Sequence, residues 1–591
     1  MVEIHRSAAQ TAESKLLAIE LQNFQSIDDL ARVEFSPITL MFGPNSAGKS
    51  AIFDALELIE CLWVPTKFQQ ERAKEMLERW ARRPGEDSAK TILSIEFQQR
   101  ANGVDPWSIW NDDENWKCLK PRTEYPSFTN FDDLIPDYKD KTYKIRLGVS
   151  IGWLQKDLYP YKRGPYVDRI EILVNNKKII SFEKECPVDD FVDLLLKDTC
   201  NLARYFTIHD IWTFGNGEIK NIQVVKNKSA NEVPDQDISK KQYVICGFLT
   251  PLEFDIRTFD DNSHFSKKFI GIADNASDII FYFGTLLGKI LRNSTPIVRA
   301  ERRVPYESEA LYFLDPRVVP WDNERLNESS PASLMKQILQ RRDPHLSKIA
   351  EAAHAAQISK TLQEIGRNEE ELNRDFLLYL DLSDSIISKI NQYLSEDLFT
   401  EKLYQIRCNS TIILPVEYLD ESVRQNWIFG QPATASLYLT DGEGRKLELY
   451  DVGSGIPFVL PVLCALAVGG VVRVQQPELH LHPALQASVA DIFLREVKSS
   501  NVLNAVNTHI IETHSEHLIL RILRRIRETG KGEKDMQDLA LAPEDVAVYY
   551  FNPKVNGGTF IKRIRIGNDG EFIDRWPRGF FAERSAELFD E

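Results

Sequence analysis

The segment of this chain with the clearest chemistry is Gly43–Ser50 (GPNSAGKS), which matches the pattern GxxxxGK[ST]. Glycines in such a loop leave backbone N–H groups free to surround phosphate oxygens. Lysine adds a positive charge for the outer phosphates, and serine offers a hydroxyl ligand for Mg²⁺. We therefore expect ATP and Mg²⁺ as cofactors, with Ser50 among the metal ligands. The candidate binding residues are Gly43, Pro44, Asn45, Ser46, Ala47, Gly48, Lys49 and Ser50.

The elements around this loop are the ones that a phosphate site requires. Ile38–Phe42 is almost wholly apolar and predicts a buried strand. From Ser50 onward, Ile52, Leu56 and Ile59 recur on one helical face. The helix N-terminus adds positive potential for an anion. A chance match to the motif is the minority interpretation, because strand and helix are both in place.

A second cluster lies about 400 residues later, at Asp451–Gly455 (DVGSG), ahead of a predicted helix. A Ser-Gly turn at a helix N-terminus is another place where an anion is stabilised. Gly453, Ser454 and Gly455 are therefore candidate nucleotide-binding residues. Taken alone, a helix-capping turn explains them better.

Polar residues also follow two later predicted strands. The run Val471–His482 (VVRVQQPELHLH) is a hydrophobic strand that ends in polar residues and a proline. In a nucleotide-binding sheet this strand end faces the phosphates and carries the acid for Mg²⁺ and water. The polar residues at this strand end are Gln475, Gln476 and Glu478. A further strand ends at Thr513-His514, which places His514 as a candidate contact to the γ-phosphate.

Strands and helices alternate in the C-terminal part of the chain, which indicates a mostly parallel sheet covered by helices. Upstream, residues 332–399 are mostly helical by pattern. The predicted segments are strands at Tyr143–Ile151 and Tyr166–Phe182, a helix at Pro457–Val468, a strand at Val471–Val474, a helix at Ala484–Val497 and a strand at Ala505–Glu512.

The order of these motifs resembles that of ABC-type ATPases of the SMC/RecF/OLD group. The octapeptide QPELHLHP at 476–483 is typical of the stand-alone branch of that group. The segment GEFIDRWPRGFF at 570–581 resembles a short C-terminal domain often found on those ATPases. The resemblance covers roughly 1–60 and 440–591 well and the middle only loosely.

This resemblance implies an α/β fold, an ABC-type P-loop ATPase head with a mixed sheet, a largely helical insertion and a short C-terminal domain. It also implies a head-to-tail dimer, in which the signature turn of one subunit covers ATP held by the other. The expected organisation is a flexible tail at 1–14, an N-terminal ATPase lobe with insertions at 15–330, a helical insertion at 331–400, a C-terminal ATPase lobe at 401–550 and a short domain at 551–591.

The chain departs from the pattern at the strand end. Gln475 stands where the group has an acid that positions Mg²⁺, and Gln476 where relatives often have the catalytic glutamate. An amide supplies no negative charge. Glu478 is the nearest candidate base. The protein is thus an expected ATPase whose hydrolysis is impaired by Gln475, and three explanations stay open: a weak ATPase, an ATP-sensing switch, or a sequence mutated to trap ATP.

Composition limits the function classes. No run of about 18 apolar residues occurs, so a membrane span is not expected and the location is expected to be cytoplasmic. The net charge of −16 argues against wholesale coating of nucleic acid. The cluster Arg521, Arg524, Arg525 and Arg527 is interpreted as a solvated helix face, in preference to a groove that binds DNA. Arg299, Arg302 and Arg303 are interpreted as residues of structural ion pairs. A metal site among His480, His482, His514 and His517 is a minority interpretation.

Three functions remain. The first is an ATPase in antiviral defence, resembling those of Septu and retron-associated systems, which regulates a separate effector such as an HNH nuclease or a toxin. The second is a RecF/SMC-like DNA-repair ATPase, a function in which nucleic acid is a partner. The third is a scaffold that binds ATP without hydrolysing it. In each case the chain is expected to form at least a homodimer.

Overall fold

The computed structural model describes residues 14–63, 67–80, 90–100, 142–154, 164–184, 206–209, 211–215, 218–222, 242–246, 254–258, 283–284, 286–288, 290–291, 296–302, 311–314, 343–365, 374–412, 433–499, 507–532, 538–555 and 557–576. Arg303, most of the expected tail at 1–14 and the end of the 570–581 segment lie outside these residues.

The described strands are β1 (Lys15–Gln22), β2 (Ala31–Glu34), β3 (Ile38–Phe42), β4 (Thr91–Arg100), β5 (Thr142–Leu154), β6 (Gly164–Val174), β7 (Lys177–Lys184), β8 (Phe206–His209), β9 (Ile211–Gly215), β10 (Glu218–Ile222), β11 (Gln242–Cys246), β12 (Phe254–Thr258), β13 (Leu311–Leu314), β14 (Gln405–Ile412), β15 (Ala433–Thr440), β16 (Lys446–Glu448), β17 (Val471–Gln475), β18 (Thr508–Glu512), β19 (Val546–Pro553) and β20 (Thr559–Ile564).

The described α-helices are α1 (Ser50–Trp63), α2 (Lys67–Trp80), α3 (Pro344–Ile365), α4 (Arg374–Gln392), α5 (Gly455–Val468), α6 (Pro483–Lys498) and α7 (Glu516–Gly530). A π-helical turn, Tyr393–Leu398, continues α4, and a 3₁₀ turn, Pro543–Asp545, precedes β19. In the part of the chain that the structure describes, no helix combines the length and apolar character needed to cross a bilayer.

The chain divides into two compact units, neither of them continuous in sequence. Unit 1 consists of Met1–Phe35, Pro44–Arg292 and Phe551–Ile561. Unit 2 consists of Ser36–Gly43, Asn293–Tyr550 and Lys562–Glu591.

A five-stranded sheet has the order β17-β18-β3-β19-β20. The pairs β17–β18, β18–β3 and β3–β19 are parallel. Every residue of β3, β17 and β18 is buried, as expected for parallel strands covered on both faces. Because these strands are parallel, the segments that follow Phe42, Gln475 and Glu512 all leave the sheet at the same edge.

Unit 1 contains an antiparallel sheet of order β2-β1-β4-β5-β6-β7-β8. The predicted strand Tyr166–Phe182 is in fact two strands, β6 and β7. Asn175 and Asn176 between them have φ values of 49° and 65°, the left-handed turn that fits the twist of a hairpin. Asparagine adopts this conformation more readily than other residues with side chains, which explains the interruption.

The core of unit 2 is organised around α5, whose apolar residues are buried from Ile456 to Ala467. Apolar residues of α3, α4 and α6 belong to the same hydrophobic cluster as those of α5. The predicted α/β fold class is confirmed. Helix α5, strand β17, helix α6 and strand β18 follow each other as the sequence pattern indicates.

Candidate functional site

The phosphate loop has the backbone conformation that its glycines were expected to permit. It begins where β3 ends and leads into α1. Three of its residues have positive φ: Gly43 at 146°, Ser46 at 61° and Gly48 at 84°. Residues with a Cβ rarely adopt such angles, so the two glycines are needed for the path of the chain. Successive turns of this kind direct backbone N–H groups to one side, which suits an anion.

Lys49 is the buried charged residue of the loop, only 3% exposed. Its ammonium group donates a hydrogen bond to the carbonyl of Pro44, at 2.9 Å. The amide of Ala51 bonds to the carbonyl of Gly48 at 3.1 Å, so α1 begins directly behind the loop. Ser50 is the first residue of that helix and is half-buried. Lysine charge, helix N-terminus and loop amides are therefore assembled as a phosphate requires.

In unit 2, the ends of β17 and β18 bring Gln475 and Glu512 together. These residues are register partners, and each is 6% exposed. The amide nitrogen of Gln475 donates to the carboxylate of Glu512 at 3.0 Å. The amide oxygen of Gln475 accepts a long hydrogen bond of 3.4 Å from Ala300 N–H. The carboxylate at this strand end is thus supplied by Glu512, on the neighbouring strand, which was not among the candidate residues predicted from the sequence.

The peptide that follows β17 is held in an unusual conformation. Gln476 has φ of 47°, a left-handed value that is uncommon for a residue with a side chain. Its N–H donates to the carbonyl of Glu512 at 2.7 Å. Arg302 donates to the carbonyl of Gln475 at 2.9 Å and to the carbonyl of Gln476 at 2.7 Å. Both peptides of the turn are thereby fixed.

Arg302 is 8% exposed, and the short segment before it is attached to β17. Val298 bridges Val474 in parallel, which places Arg302 beside the strand end. Burial lowers the pKa of Arg302 to about 10, although the negative charges of Asp343 and Glu478 act to raise it. Arg302 was expected to serve in structural ion pairing. Its hydrogen bonds go to backbone carbonyls instead, those of Arg299, Gln475 and Gln476.

Glu478 links the loops after β17 and β18. One carboxylate oxygen accepts from the backbone N–H of His514 at 2.7 Å, and the other from the hydroxyl of Thr513 at 2.8 Å. Burial raises the pKa of Glu478, against the lowering effect of these hydrogen bonds and of the Arg302 charge. A raised pKa is the direction that suits a general base. The contact also fixes the backbone of His514, whose side chain is half-buried.

The signature turn lies at the start of α5 in unit 2. Gly453 is exposed, and Ser454 and Gly455 are half-buried. Ser454 occupies the N-cap position, yet its side chain makes no capping hydrogen bond. A Cβ at Gly455 would lie 3.0 Å from the carbonyl oxygen of His480. The turn is therefore packed closely on the loop after β17, while its outer side remains accessible.

The other histidines and arginines singled out from the sequence have local structural contacts. The His482 ring accepts a hydrogen bond of 3.3 Å from Ala484 N–H as the N-cap of α6, and His480 packs on Phe458 with ring centroids 4.3 Å apart. On α7, Arg525 pairs with Asp491 at 2.7 Å. Arg521, Arg524 and Arg527 also pair with carboxylates. Among the described residues there is no group of three metal-binding side chains.

Two family models match the chain. Residues 18–146 match the AAA domain. Residues 541–590 match a family described as protein of unknown function (DUF3696). The first match contains the whole phosphate loop, and it supports a nucleotide-binding ATPase domain in this part of the chain. The second covers most of the short C-terminal domain predicted at 551–591. No curated protein is significantly similar to the chain.

Among solved structures, the Smc head bound to the C-winged helix domain of ScpA is 10% identical, with a TM-score of 0.34, covering 93% of this chain and 98% of that one. The SMC head domain from Thermotoga maritima is 9% identical, with a TM-score of 0.30, covering 93% of this chain and 100% of that one. TM-scores this low support no conclusion about shared architecture or activity.

Proposed function

We propose that the chain binds ATP with Mg²⁺ at its phosphate loop and acts as an ABC-type ATPase head. The observation that carries the proposal is the loop between β3 and α1, with Gly48 at φ 84° and Lys49 buried. The AAA-domain match over 18–146 supports the same conclusion. Removing the Lys49 charge is the direct test, because Lys49→Ala should lose Mg²⁺-ATP binding if the loop holds the phosphates.

In this proposal, the backbone amides of Gly43–Ser50 and the ammonium of Lys49 bind the phosphates, and the hydroxyl of Ser50 is a ligand of the accompanying Mg²⁺. The ion supplies charge neutralisation at the phosphates when it is bound. At the strand ends, Gln475 offers an amide, and Glu512 carries the negative charge that Gln475 lacks. His514 and Glu478 keep the roles predicted from the sequence, a γ-phosphate contact and a candidate base.

We also propose that the chain hydrolyses ATP slowly. Gln475 and Gln476 are neutral amides at positions where an acid would orient water, and losing one positioned acid lowers rates by about 10²–10⁴. The hydrogen bond from Gln475 to Glu512 favours a second candidate function, a scaffold that binds ATP without turnover. The two are separated by measuring phosphate release over many hours at saturating ATP.

We also propose head-to-tail dimerisation around ATP. Gly453 is exposed and Ser454 leaves its hydroxyl uncommitted to capping, which suits contact with a nucleotide held by another subunit. We expect the mass measured by light scattering to double when Mg²⁺-ATP is added to the wild type, and to stay unchanged for Lys49→Ala. A mass that does not change with ATP would contradict the dimerisation but not ATP binding.

Regulation of a separate effector in antiviral defence is supported by the resemblance of 476–483 and 570–581 to stand-alone defence ATPases. The test is phage plating on cells that carry the gene with its neighbours. Protection by the wild type and its loss in Lys49→Ala is the expected result. For the DNA-repair alternative, duplex binding measured against salt should show a steep dependence. The pairing of the α7 arginines with carboxylates does not favour that outcome.

A further inference from the structure

Thr559, the first residue of β20, lies within the C-terminal segment that matches the family of unknown function. It is 4% exposed. Phe551–Ile561 belongs to unit 1, the unit that also contains Pro44–Ser50. The segment therefore contributes a buried polar side chain to the part of the molecule that holds the phosphate loop.

The Thr559 hydroxyl has two partners. It lies 2.9 Å from the carbonyl oxygen of Ala47 and 2.8 Å from the hydroxyl oxygen of Ser26. A hydroxyl has one proton to donate, and a carbonyl oxygen only accepts. Thr559 therefore donates to Ala47, and the Ser26 hydroxyl donates to Thr559. The two side chains form one chain of hydrogen bonds that ends on the phosphate loop.

The orientation of one loop peptide depends on this chain. The carbonyl of Ala47 belongs to the same peptide group as the N–H of Gly48. A trans peptide is planar, so its C=O and N–H point in opposite directions. Holding the Ala47 carbonyl on Thr559 directs the Gly48 N–H away from Thr559, which is the fixed orientation that an amide donor to phosphate requires.

Gly48 has no room for a side chain on the side that faces Ser26 and Thr559. A Cβ on Gly48 would lie 2.0 Å from the Ser26 hydroxyl oxygen and 3.1 Å from the Thr559 hydroxyl oxygen. Gly48 also has φ of 84°. The two hydroxyls thus contact the backbone of the loop at the position where it turns into α1.

The turn of the β19–β20 hairpin is anchored to the loop that carries Ser26. Lys554 pairs with Asp29 at 2.5 Å. At Gly558, a Cβ would meet the Asp28 carboxylate at 2.1 Å, so only glycine allows this approach. The turn just before Thr559 is therefore held against the residues just after Ser26.

We infer that Thr559 is a positioning residue of the phosphate site, through which the C-terminal hairpin stabilises the phosphate-binding conformation of the loop. The inference rests on the proposed function. It assigns to this hairpin a role in binding the phosphates of a nucleotide.

The test compares Thr559→Val, which keeps the shape and removes the hydroxyl, with Thr559→Ser, which keeps the hydroxyl. Affinities for Mg²⁺-ATP and for inorganic tripolyphosphate are measured by calorimetry on the full chain. Thr559→Val should bind both about tenfold more weakly, the effect of about one hydrogen bond. Thr559→Ser should restore both to within about threefold of the wild type, a rescue that a packing role alone would not give.

Three results separate the possible failures. If the wild type binds neither ligand, the proposed function is wrong. If the wild type binds and Thr559→Val binds equally well, the positioning role is wrong. If Thr559→Val no longer unfolds cooperatively, Thr559→Ala replaces it, since that change removes the donor to Ala47 without placing a methyl group against its carbonyl. Weaker tripolyphosphate binding by Thr559→Ala than by Thr559→Ser supports the role, and equal binding overturns it.

Discussion

The side-chain amide of Gln475 donates a hydrogen bond of 3.0 Å to the carboxylate of Glu512, at the ends of two neighbouring parallel strands. Because the amide is neutral, Glu512 faces a hydrogen-bond donor at this position and not a second carboxylate. Since the register pairs Glu512 with Met41 of β3, the strand that leads into the phosphate loop lies next to the one that carries this charge.

Replacing Gln475 by glutamate places two carboxylates about 3 Å apart, where both cannot remain ionised without a cation. We expect Gln475→Glu to be less stable than the wild type in EDTA and to recover with Mg²⁺. We also expect it to hydrolyse ATP at least about tenfold faster than the wild type, because a positioned acid is restored. Thermal unfolding and phosphate release measure the two effects. Two inactive proteins that both bind ATP would favour the scaffold function.

Arg302 fixes the turn after β17 through the carbonyls of Gln475 and Gln476. Arg302→Met leaves those acceptors without a charged donor and should lower the free energy of unfolding by about 2–4 kcal/mol. Arg302→Lys keeps the charge but not the two-pronged geometry, so it should recover less than half of the loss. Urea denaturation followed by circular dichroism checks both. Equal stability of all three proteins would show that the contact does not hold the turn.

His509, the second residue of β18, is fully buried, and burial lowers its pKa from 6.5 to about 3. Above pH 6.5 the side chain is neutral in both the folded and unfolded states. Below that pH the unfolded chain gains a proton that the folded chain cannot, so stability falls as pH decreases toward about 3. The slope from this residue is about 1.4 kcal/mol per pH unit. His509→Leu should show a flatter decline in melting temperature between pH 6.5 and 4.5. An equal fall in the melting temperatures of the wild type and His509→Leu would contradict this role of His509.

Gly453 and Gly455 offer a matched pair of substitutions in one turn. A Cβ at Gly455 meets the His480 carbonyl at 3.0 Å, whereas a Cβ at Gly453 meets nothing within 4 Å. Gly455→Ala should cost about 1–3 kcal/mol of stability through overpacking. Gly453→Ala should leave the melting temperature unchanged but reduce ATP-dependent dimerisation, because its side faces outward. Full dimerisation by Gly453→Ala would remove this turn from the interface.

The local parts of the fold could be predicted from the sequence. Ile38–Phe42 and Gly43–Ser50 carry their own pattern, because a buried strand, a glycine-rich loop and an amphipathic helix are each defined by neighbouring residues. The β6–β7 turn was missed because two asparagines replaced the glycine that usually marks it.

Contacts between distant segments were not predictable in the same way. Arg302 lies 173 residues before Gln475, and Thr559 lies 512 residues after Ala47. No periodicity connects such pairs, and both act on backbone carbonyls, which leave no trace in residue type. Glu512 was visible as the last residue of a predicted strand, but only the strand order places it beside Gln475.

The most direct test of the central proposal is a calorimetric titration of Mg²⁺-ATP into the wild type and into Lys49→Ala. The Lys49 ammonium is the buried cation of the phosphate loop, so its removal should weaken binding at least about 100-fold, which corresponds to about 2.7 kcal/mol. Lys49→Arg serves as the control, because it retains the charge with a different shape and should bind with intermediate affinity. Saturable binding by the wild type and its loss in Lys49→Ala is the predicted result. Equal binding by both proteins, or none by the wild type, would contradict the proposal.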